Sequence, residues 1–344
     1  MTKTKIRIAA LALVFLAGAA MAVHAQGDLP LVNTQSINME GVNNLSINCG
    51  SDPVIIRESE TNTLTVQEYM SKDRERYYAK ISCSSDSVHI GTGKRPLWPW
   101  SWKARTEIAI PRSFRGNLRI SNSSGSMSAE TDFSDYQTVD IHVSSGSVVL
   151  SRVSAQTVSL RVSSGDLGVS GIRGDTSFIS VSSGRLSAGT IAGGEHGLKL
   201  SSGRIRIGAL EGAAAVKVSS GIFALEQARG RLDAEVSSGS LSVGDFSGEG
   251  GVKVHSGNVG LDIRELSGDL RFDVSSGGID VQMPPGLSFN LDAVTNNGSV
   301  RITENGAEVL GAGRKSTVFR PIGPSPERTV YARVSSGNLV INRR

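Results

Sequence analysis

The three tryptophans of the chain stand at alternate positions, Trp98, Trp100 and Trp102, and basic residues flank them on both sides. Alternate side chains of an extended strand point to the same side, so the three indoles would form one aromatic surface. Such a surface suits sugar rings or a lipid headgroup layer. The alternative, equally supported, is an apolar lid on the neighbouring structure. The segment is therefore a candidate binding surface for a glycan or a cell-envelope component.

Three arginines form a second candidate site. Arg185 and Arg204 each follow the glycine of a Ser-Ser-Gly tripeptide, and Arg206 stands two residues after Arg204. If successive repeats stack, Arg185 and Arg204 become neighbours, and adjacent like charges are mildly unfavourable unless an anionic partner binds between them. The alternative is that these are solvated surface arginines.

Residues suited to catalysis do not fall into a pattern. The five histidines are too few to build a metal site, and the many serines are explained by turns, which disfavours a Ser/His/Asp triad. The rival hypothesis is a polysaccharide-degrading enzyme on a β-helix, which would use clustered carboxylates. The nearest acidic group, Asp262, Asp273 and Asp280, occupies different phases of the repeat. We therefore predict that the chain is not an enzyme and has no metal or cofactor.

The only cysteines are Cys49 and Cys83. In an exported chain, two cysteines favour a single disulfide between them. The alternative is two buried free thiols that pack as small apolar groups.

The N-terminus predicts export. Lys3, Lys5 and Arg7 precede an uncharged run from Ile8 to Ala22 and a small-residue cleavage site, so residues 1–25 are expected to be a signal peptide. Its removal lowers the formal charge from +4 to 4 − 3 = +1, which disfavours nucleic acid as a partner. No later stretch is long enough to span a membrane. The expected location is the periplasm, the cell surface or the medium.

A tandem repeat must position all these residues. Ser-Ser-Gly or a close variant recurs every 18 to 21 residues, with one gap of 39 before the last copy. Its glycines are Gly125, Gly146, Gly165, Gly184, Gly203, Gly221, Gly239, Gly257, Gly277, Gly298 and Gly337.

Apolar residues occupy fixed places around these glycines: two and four residues after all eleven, and three and five residues before the eight from Gly146 to Gly277. The chain is only 38% apolar, so this alternation indicates half-buried strands. The parity of the inward positions changes across Ser-Ser-Gly, so the chain must bend there. A second glycine, as in Ile172-Arg173-Gly174, is interpreted as the other corner of a two-stranded unit. Outward residues of alternating sign, Lys217, Glu235, Lys253 and Asp273, are expected to stack.

These patterns predict an all-β fold, a parallel β-solenoid (β-helix) of about ten rungs at residues 116–344. Residues 26–115 are expected to form a β-rich cap, which protects the open strand edge from self-association. The long gap predicts an interrupted coil between Ile302 and Val330. The Gly311–Arg328 loop is expected to cover the last rung.

The repeat unit, as in Val162-Ser163-Ser164-Gly165-Asp166-Leu167-Gly168-Val169, resembles the bacterial putative-adhesin domain family of unknown function. Two further stretches fit that family, 109–114 and Met283-Pro284-Pro285. The resemblance covers most of the chain from Leu45 onward. It implies an exported or envelope-associated β-solenoid with an adhesive or scaffolding role, and it supplies no catalytic residues.

Overall fold

The computed structural model describes residues 29–96 and 102–344, which are built of β-strands apart from a single 3₁₀ turn at Glu75–Tyr77. Within the described residues, no helix has the length and apolar character that a bilayer crossing requires. The strands are β1 (Leu31–Asn38), β2 (Asn44–Cys49), β3 (Val54–Ser59), β4 (Thr63–Met70), β5 (Lys80–Cys83), β6 (Ser87–Gly91), β7 (Ala104–Pro111), β8 (Asn117–Asn122), β9 (Ser126–Ala129), β10 (Phe133–Val143), β11 (Ser147–Val162), β12 (Asp166–Val181), β13 (Arg185–Leu200), β14 (Arg204–Val218), β15 (Ile222–Val236), β16 (Ser240–Val254), β17 (Asn258–Val274), β18 (Gly278–Met283), β19 (Phe289–Thr295), β20 (Ser299–Glu304), β21 (Ala307–Ala312), β22 (Thr317–Ile322), β23 (Thr329–Val334) and β24 (Asn338–Arg343).

The central strands confirm the predicted parallel β-solenoid. Each of β11 to β17 runs from one Ser-Ser-Gly corner to the next and pairs in parallel with its neighbours, shifted by one repeat. Equivalent inward residues therefore stack, as in the file Leu160, Ile179, Leu198 and Val216, all buried. A single rung could not bury this apolar surface, whereas the stack shares it between neighbours.

Each rung bends more often than the two-stranded unit predicts. In β11 the buried positions are Val148 and Leu150, then Val153 and Ala155, then Val158 onward, separated by pairs of outward residues. Each such pair shifts the inward parity, so a rung has three short faces. The predicted second-corner glycine adjoins one of these bends, since Gly174 directly precedes the outward pair Asp175 and Thr176, and Gly193, Gly212 and Gly230 have positive φ in the following rungs. The chain stays paired with its neighbouring rungs through the bend, so this corner lies within a continuous strand.

The Ser-Ser-Gly corners need glycine because neighbouring rungs approach closely there. A Cβ added to Gly203 would fall far inside van der Waals distance of the carbonyl oxygen of Gly184, and the same contact recurs at each preceding corner. The corner peptides are themselves paired: the Ser202 N–H donates to the Ser182 carbonyl at 2.7 Å. The repeated motif is therefore a packing requirement of the stack as well as a bend.

The N-terminal region contributes rungs as well as their cover. The β2–β3 pair stacks directly on β8–β9, and the β6–β7 pair stacks on β2–β3, all in parallel. The chain thus builds an inner rung, an outer rung, and then returns inward to β8. Antiparallel strands close this end, with β5 on β6, β4 on β7 and β1 on β4.

The C-terminal end shows the mirror arrangement and corrects the prediction for it. The β23–β24 rung lies between β17–β18 and β19–β20, although it comes last in the chain. Residues 307–322 are two strands, β21 and β22, that pair antiparallel with β20 and β19. They therefore cover the 289–304 rung, and the final rung of the sequence is internal.

The expected Cys49–Cys83 disulfide is not formed, because the fold separates the two cysteines. Cys83 lies opposite Val88, which lies opposite Leu45, so Cys83 is two strand spacings and four residues away from Cys49. At ~4.8 Å per strand and ~3.3 Å per residue this is about 16 Å, far beyond the Cα separation that a disulfide spans. Cys49 is buried and Cys83 is exposed, and burial raises the pKa of the Cys49 thiol to about 12.

Candidate functional site

An exposed aromatic ring and several basic side chains lie on the outer surface of one side of the coil. We call the sheet formed by the segments that lead into the corners the incoming face, and the segments that follow the corners the outgoing face. In the central rungs the incoming face comprises residues 139–143, 157–162, 176–181, 195–200, 213–218, 231–236, 250–254 and 270–274.

Phe178 is an exposed aromatic ring on this face. Its side chain points outward with 54% of the residue exposed, and it is flanked on one side by Gly197 and then Ala215 in the neighbouring rungs. The ring lies over Gly197: a Cβ at that position would be 3.2 Å from Cδ1 of Phe178. The small side chains beyond the ring leave a shallow concavity of about 300 Å³. Phe178 therefore offers an aromatic surface at one end of an open groove.

A row of three basic residues and one serine borders the groove. Arg161, Ser180, Lys199 and Lys217 stand opposite one another on successive rungs, so they follow the coil axis at ~4.8 Å intervals. All four line the concavity, and its described lining contains no Asp or Glu. Lys199 is exposed and has no acidic partner among the described residues. The groove is therefore locally cationic in a chain whose overall charge is small.

The flanking cations are only partly neutralised. Arg161 Nη1 lies 2.8 Å from Asp140 Oδ1, and Lys217 Nζ lies 3.7 Å from Glu235 Oε2. Surface ion pairs of this kind are weak and screened by salt. Both cations can therefore also interact with an anionic ligand in the groove.

The adjoining concavity has a balanced charge, in contrast. It has a volume of about 270 Å³ and shares Ala215 and Lys217 with the first. Its other charged lining residues are Lys253 and Arg271 together with Asp233, Glu235 and Asp273. Stacking of Lys217, Glu235, Lys253 and Asp273 confirms the predicted row of alternating charges. Hydrogen bonding from His255, with further contributions from Lys217 and Lys253, lowers the pKa of Glu235.

Beneath the Phe178 groove, the interior contains an unusual polar pair. His196 and Ser177 are neighbours in adjacent rungs, and both are buried. His196 Nε2 lies 3.0 Å from the Glu211 carbonyl oxygen, so Nε2 is the donor. His196 Nδ1 and Ser177 Oγ are buried without a hydrogen-bond partner among the described residues. Burial lowers the pKa of His196, which keeps the ring neutral.

Trp102 is part of a packed cluster at the N-terminal end. Its ring meets Tyr77 edge-on, with centroids 4.8 Å apart, and its Nε1 donates to Asp52 Oδ1 at 3.2 Å. Asp52 also accepts from Arg95, whose guanidinium lies over the Trp102 ring. These contacts fit the lid alternative for Trp102. Trp98 and Trp100 lie outside the described residues, so the shared aromatic surface stays a prediction.

The three arginines lie together on the outgoing face. Arg185 stands opposite Arg204, and Arg206 opposite Ser187. Arg185 also donates two hydrogen bonds to Asp166 on the preceding rung, at 2.7 and 3.0 Å. Asp166 therefore offsets the like-charge contact, so stacking of Arg185 on Arg204 does not by itself call for an external anion.

The described residues do not gather the groups that catalysis on metals or carboxylates would use. In the ranges 29–96 and 102–344, no three His, Cys, Asp or Glu side chains are placed to hold a metal ion. Asp280 accepts from Gln282 and Asn342 on the outgoing side of the coil. Asp273 lies on the incoming face, so it does not converge with Asp262 and Asp280.

The Phe178 groove was not predicted from the sequence. The signal is present six residues before each corner glycine, a position whose side chains point outward. Asp140, Ser159, Phe178, Gly197, Ala215, Asp233 and Gly251 occupy it in consecutive repeats. An aromatic residue followed by two small ones in an outward row indicates an exposed ring beside a groove.

The chain is similar to one protein family and to several solved structures. The family model described as Toastrack DUF4097 matches residues 42–243 and 214–342. Similar crystal structures include a putative adhesin from Parabacteroides merdae, at 13% identity over 92% of this chain and 97% of that chain with a TM-score of 0.42. A putative adhesin from Parabacteroides distasonis matches at 14% identity over 92% and 98%, with a TM-score of 0.40. A putative lipid binding protein from the same species matches at 13% identity over 90% and 96%, with a TM-score of 0.40. No curated protein matches the sequence.

Proposed function

The chain belongs to the Toastrack DUF4097 family, and from that premise we propose that it is an exported, adhesin-like scaffold that binds a cell-surface component without catalysis. The observation that carries the proposal is the Phe178 groove. The groove combines this exposed aromatic ring with basic side chains and a floor of small residues, which together form a surface that a partner can cover. The rigid stack beneath it holds the ring and the flanking cations in fixed positions, which lowers the cost of binding.

The arrangement of the acidic residues favours binding over hydrolysis. Glycoside hydrolysis uses two carboxylates that flank one bond, one of them with a raised pKa. On this coil the acids beside the groove are paired with cations, as in Asp140 with Arg161 and Glu235 with Lys217. The groove itself presents an aromatic ring and basic side chains, a combination that recognises a ligand and leaves its bonds intact.

Export is the part of the proposal that rests on the sequence. The expected signal peptide at residues 1–25 lies outside the described residues. Its basic start, apolar run and small-residue end support cleavage and release into the periplasm, onto the surface or into the medium. Cell fractionation with N-terminal sequencing of the mature chain tests this directly, and an uncleaved chain in the cytosol would contradict it.

Binding is tested with the mature chain and isolated cell envelopes. We expect the parent chain to sediment with envelopes and Phe178→Ala to sediment markedly less. The matched control is Phe319→Ala, because Phe319 is an exposed aromatic on the end strand β22, away from the groove. Equal sedimentation of both variants with the parent would show that the groove is not the binding surface. Failure of the parent chain to sediment would contradict the proposed function.

A further inference from the structure

The Phe178 groove has a chemical character that narrows its partner further than surface binding. It combines an exposed aromatic ring, a floor of small residues, and three cations with no acid in its described lining. An aromatic ring stacks on the apolar face of a sugar, and cations attract carboxylates or other anionic groups. We propose that the groove binds an acidic polysaccharide that runs along the coil axis, an inference that rests on the proposed function.

The spacing of the groove supports an extended polymer over a single small ligand. Arg161, Ser180, Lys199 and Lys217 repeat at ~4.8 Å along the axis, a step close to the length of one sugar unit in an extended chain. A polysaccharide with one carboxylate per sugar can therefore meet Lys199 and Lys217 on adjacent rungs, and Arg161 two rungs before Lys199, while one of its rings stacks on Phe178. Gly197 and Ala215 lie beside the ring and leave the floor open for the next sugar.

The charges of the lining residues determine how far the proposed binding segment extends along the coil axis. Beyond Lys217 the lining becomes balanced, with Asp233, Glu235 and Asp273 beside Lys253 and Arg271. There three acidic side chains line the concavity itself and would face an anionic polymer, whereas Asp140 and Glu235, which pair with Arg161 and Lys217, do not line the Phe178 groove. The binding segment therefore extends from Arg161 to Lys217, about four rungs. Lys199, at its centre and without an acidic partner among the described residues, contributes most of the charge attraction.

A planar membrane surface fits the groove less well. Membrane attraction needs several basic residues that together face one plane, and insertion needs apolar side chains that protrude beyond them. Here a single aromatic ring lies over Gly197, close to the sheet. The groove therefore suits a narrow polymer that can enter it.

The test compares two forms of one polymer. Polygalacturonate is the acidic probe, and the same polymer with its carboxyls methyl-esterified is the neutral control. Binding of the mature chain is measured by affinity electrophoresis, with a polymer-free gel correcting for charge differences between variants. We expect retardation by polygalacturonate alone, weakened by added salt because the contacts are ionic and exposed.

Variants locate the binding to the groove. Phe178→Ala should weaken binding to polygalacturonate about tenfold, and Lys199→Ala about fivefold. The controls Phe319→Ala and Lys253→Ala should bind as the parent does, since Phe319 lies on an end strand and Lys253 lies in the balanced concavity. All four side chains are exposed, so folding should be retained, and circular dichroism verifies it.

The outcomes separate this inference from the proposed function. Equal binding of both polymers, or no loss with Lys199→Ala, overturns the acidic-polysaccharide assignment. If envelopes bind through Phe178 while polygalacturonate does not, the assignment also fails and the proposed function stands. Binding to vesicles that contain phosphatidylglycerol, without binding to polygalacturonate, would replace the polysaccharide with a membrane surface. Absence of binding to envelopes and to every probe contradicts both.

Discussion

At a Ser-Ser-Gly corner, one methyl group decides whether two rungs can approach. A Cβ at position 203 would meet backbone atoms of Gly184 and Ser183, which cannot move without displacing the adjacent rung. We expect Gly203→Ala to lower the free energy of unfolding by roughly 1–3 kcal/mol, the usual cost of overpacking. Urea denaturation followed by circular dichroism measures the change.

The matched control for that substitution is Gly168→Ala. Gly168 lies in β12, two rungs away, and a Cβ there would have no atom within 4 Å. Its replacement should cost less than about 0.5 kcal/mol, as for other unencumbered surface positions. If both variants lose the same stability, the corner contact is not what requires glycine.

His196 makes stability depend on pH. Its Nε2 donates to the Glu211 carbonyl, and Nδ1 has no partner among the described residues. Protonation would therefore place an N–H in the dry interior, so the folded pKa lies below the unfolded value of about 6.5. The unfolded chain then binds more protons, and stability is full above that value and falls as pH drops below it.

The variant His196→Gln isolates this effect. Its amide can still donate to Glu211 and does not titrate. Between pH 7.5 and 5.5 we expect the melting temperature of the parent to fall more than that of the variant, measured by differential scanning calorimetry. Parallel pH profiles for the two chains would mean that His196 does not contribute. Any carboxylates that titrate in this range are common to both chains and cancel in the comparison.

At the scale of the strands, the periodicity of apolar residues predicted the stacked rungs but did not predict the third face of each rung. The inward positions after every corner are apolar, and so are those before the corners from Gly146 to Gly277, so burial of Leu186 and Val181 followed from the pattern. The middle face buries only one or two residues per rung, such as Ile172 and Gly174. The second-corner glycine marks one end of this short stretch, and so few buried positions do not form a period that the sequence alone could identify as a separate face.

The stacking order of the rungs at the C-terminal end could not be predicted from the sequence either. The corners at Gly298 and Gly337 are followed by the same apolar alternation, although the first reads Asn-Asn-Gly and the second Ser-Ser-Gly, and that difference does not indicate which one stacks on Gly277. In the structure Gly337 approaches Gly277, and Gly298 approaches Gly337. The placement depends on long-range pairing of β23 with β17, which has no local signature.

The β23–β24 rung lies between β17–β18 and β19–β20. This placement predicts the effect of a C-terminal truncation. A chain ended after Gly323 lacks β23 and β24, which are the parallel partners of β19 and β20. We expect residues 289–304 to lose protection from hydrogen exchange, measured by mass spectrometry, although they remain in the chain. Residues 176–200 serve as the control and should stay protected. Retained protection at 289–304 would indicate that this rung packs directly on β17 and β18.

For the whole molecule, the fold could be predicted because its pattern is repeated. The candidate site could not be predicted, because it departs from the repeat. Files of buried aliphatic side chains confirm the solenoid expected from the spacing. Phe178 is informative only against the small and polar residues that hold the same outward position in other rungs. Arg185, predicted as part of an anion-binding site, is offset by Asp166 on the preceding rung, at 2.7 Å.

A rod of stacked strands also needs ends that do not join to other rods. At the C-terminal end, the incoming face finishes with β22, which pairs among the described strands with β19 alone. Within β22, Pro321 stands opposite Asn290, whose N–H points away from β22 and donates to the Arg328 carbonyl. The Pro321 nitrogen therefore faces the open edge, where proline removes the donor that another strand would use.

Replacing this proline should promote end-to-end association of the protein. Pro321→Val restores an N–H on the free edge of β22, so we expect the variant to form more dimers and larger species than the parent as concentration rises. Light scattering coupled to size-exclusion chromatography measures the mass. Pro324→Val is the control, because Pro324 lies in the bend after β22 and offers no strand edge. If the Pro321→Val chain keeps the parent's mass throughout, other features of the end, such as the neighbouring charge of Arg320, must keep the rods apart.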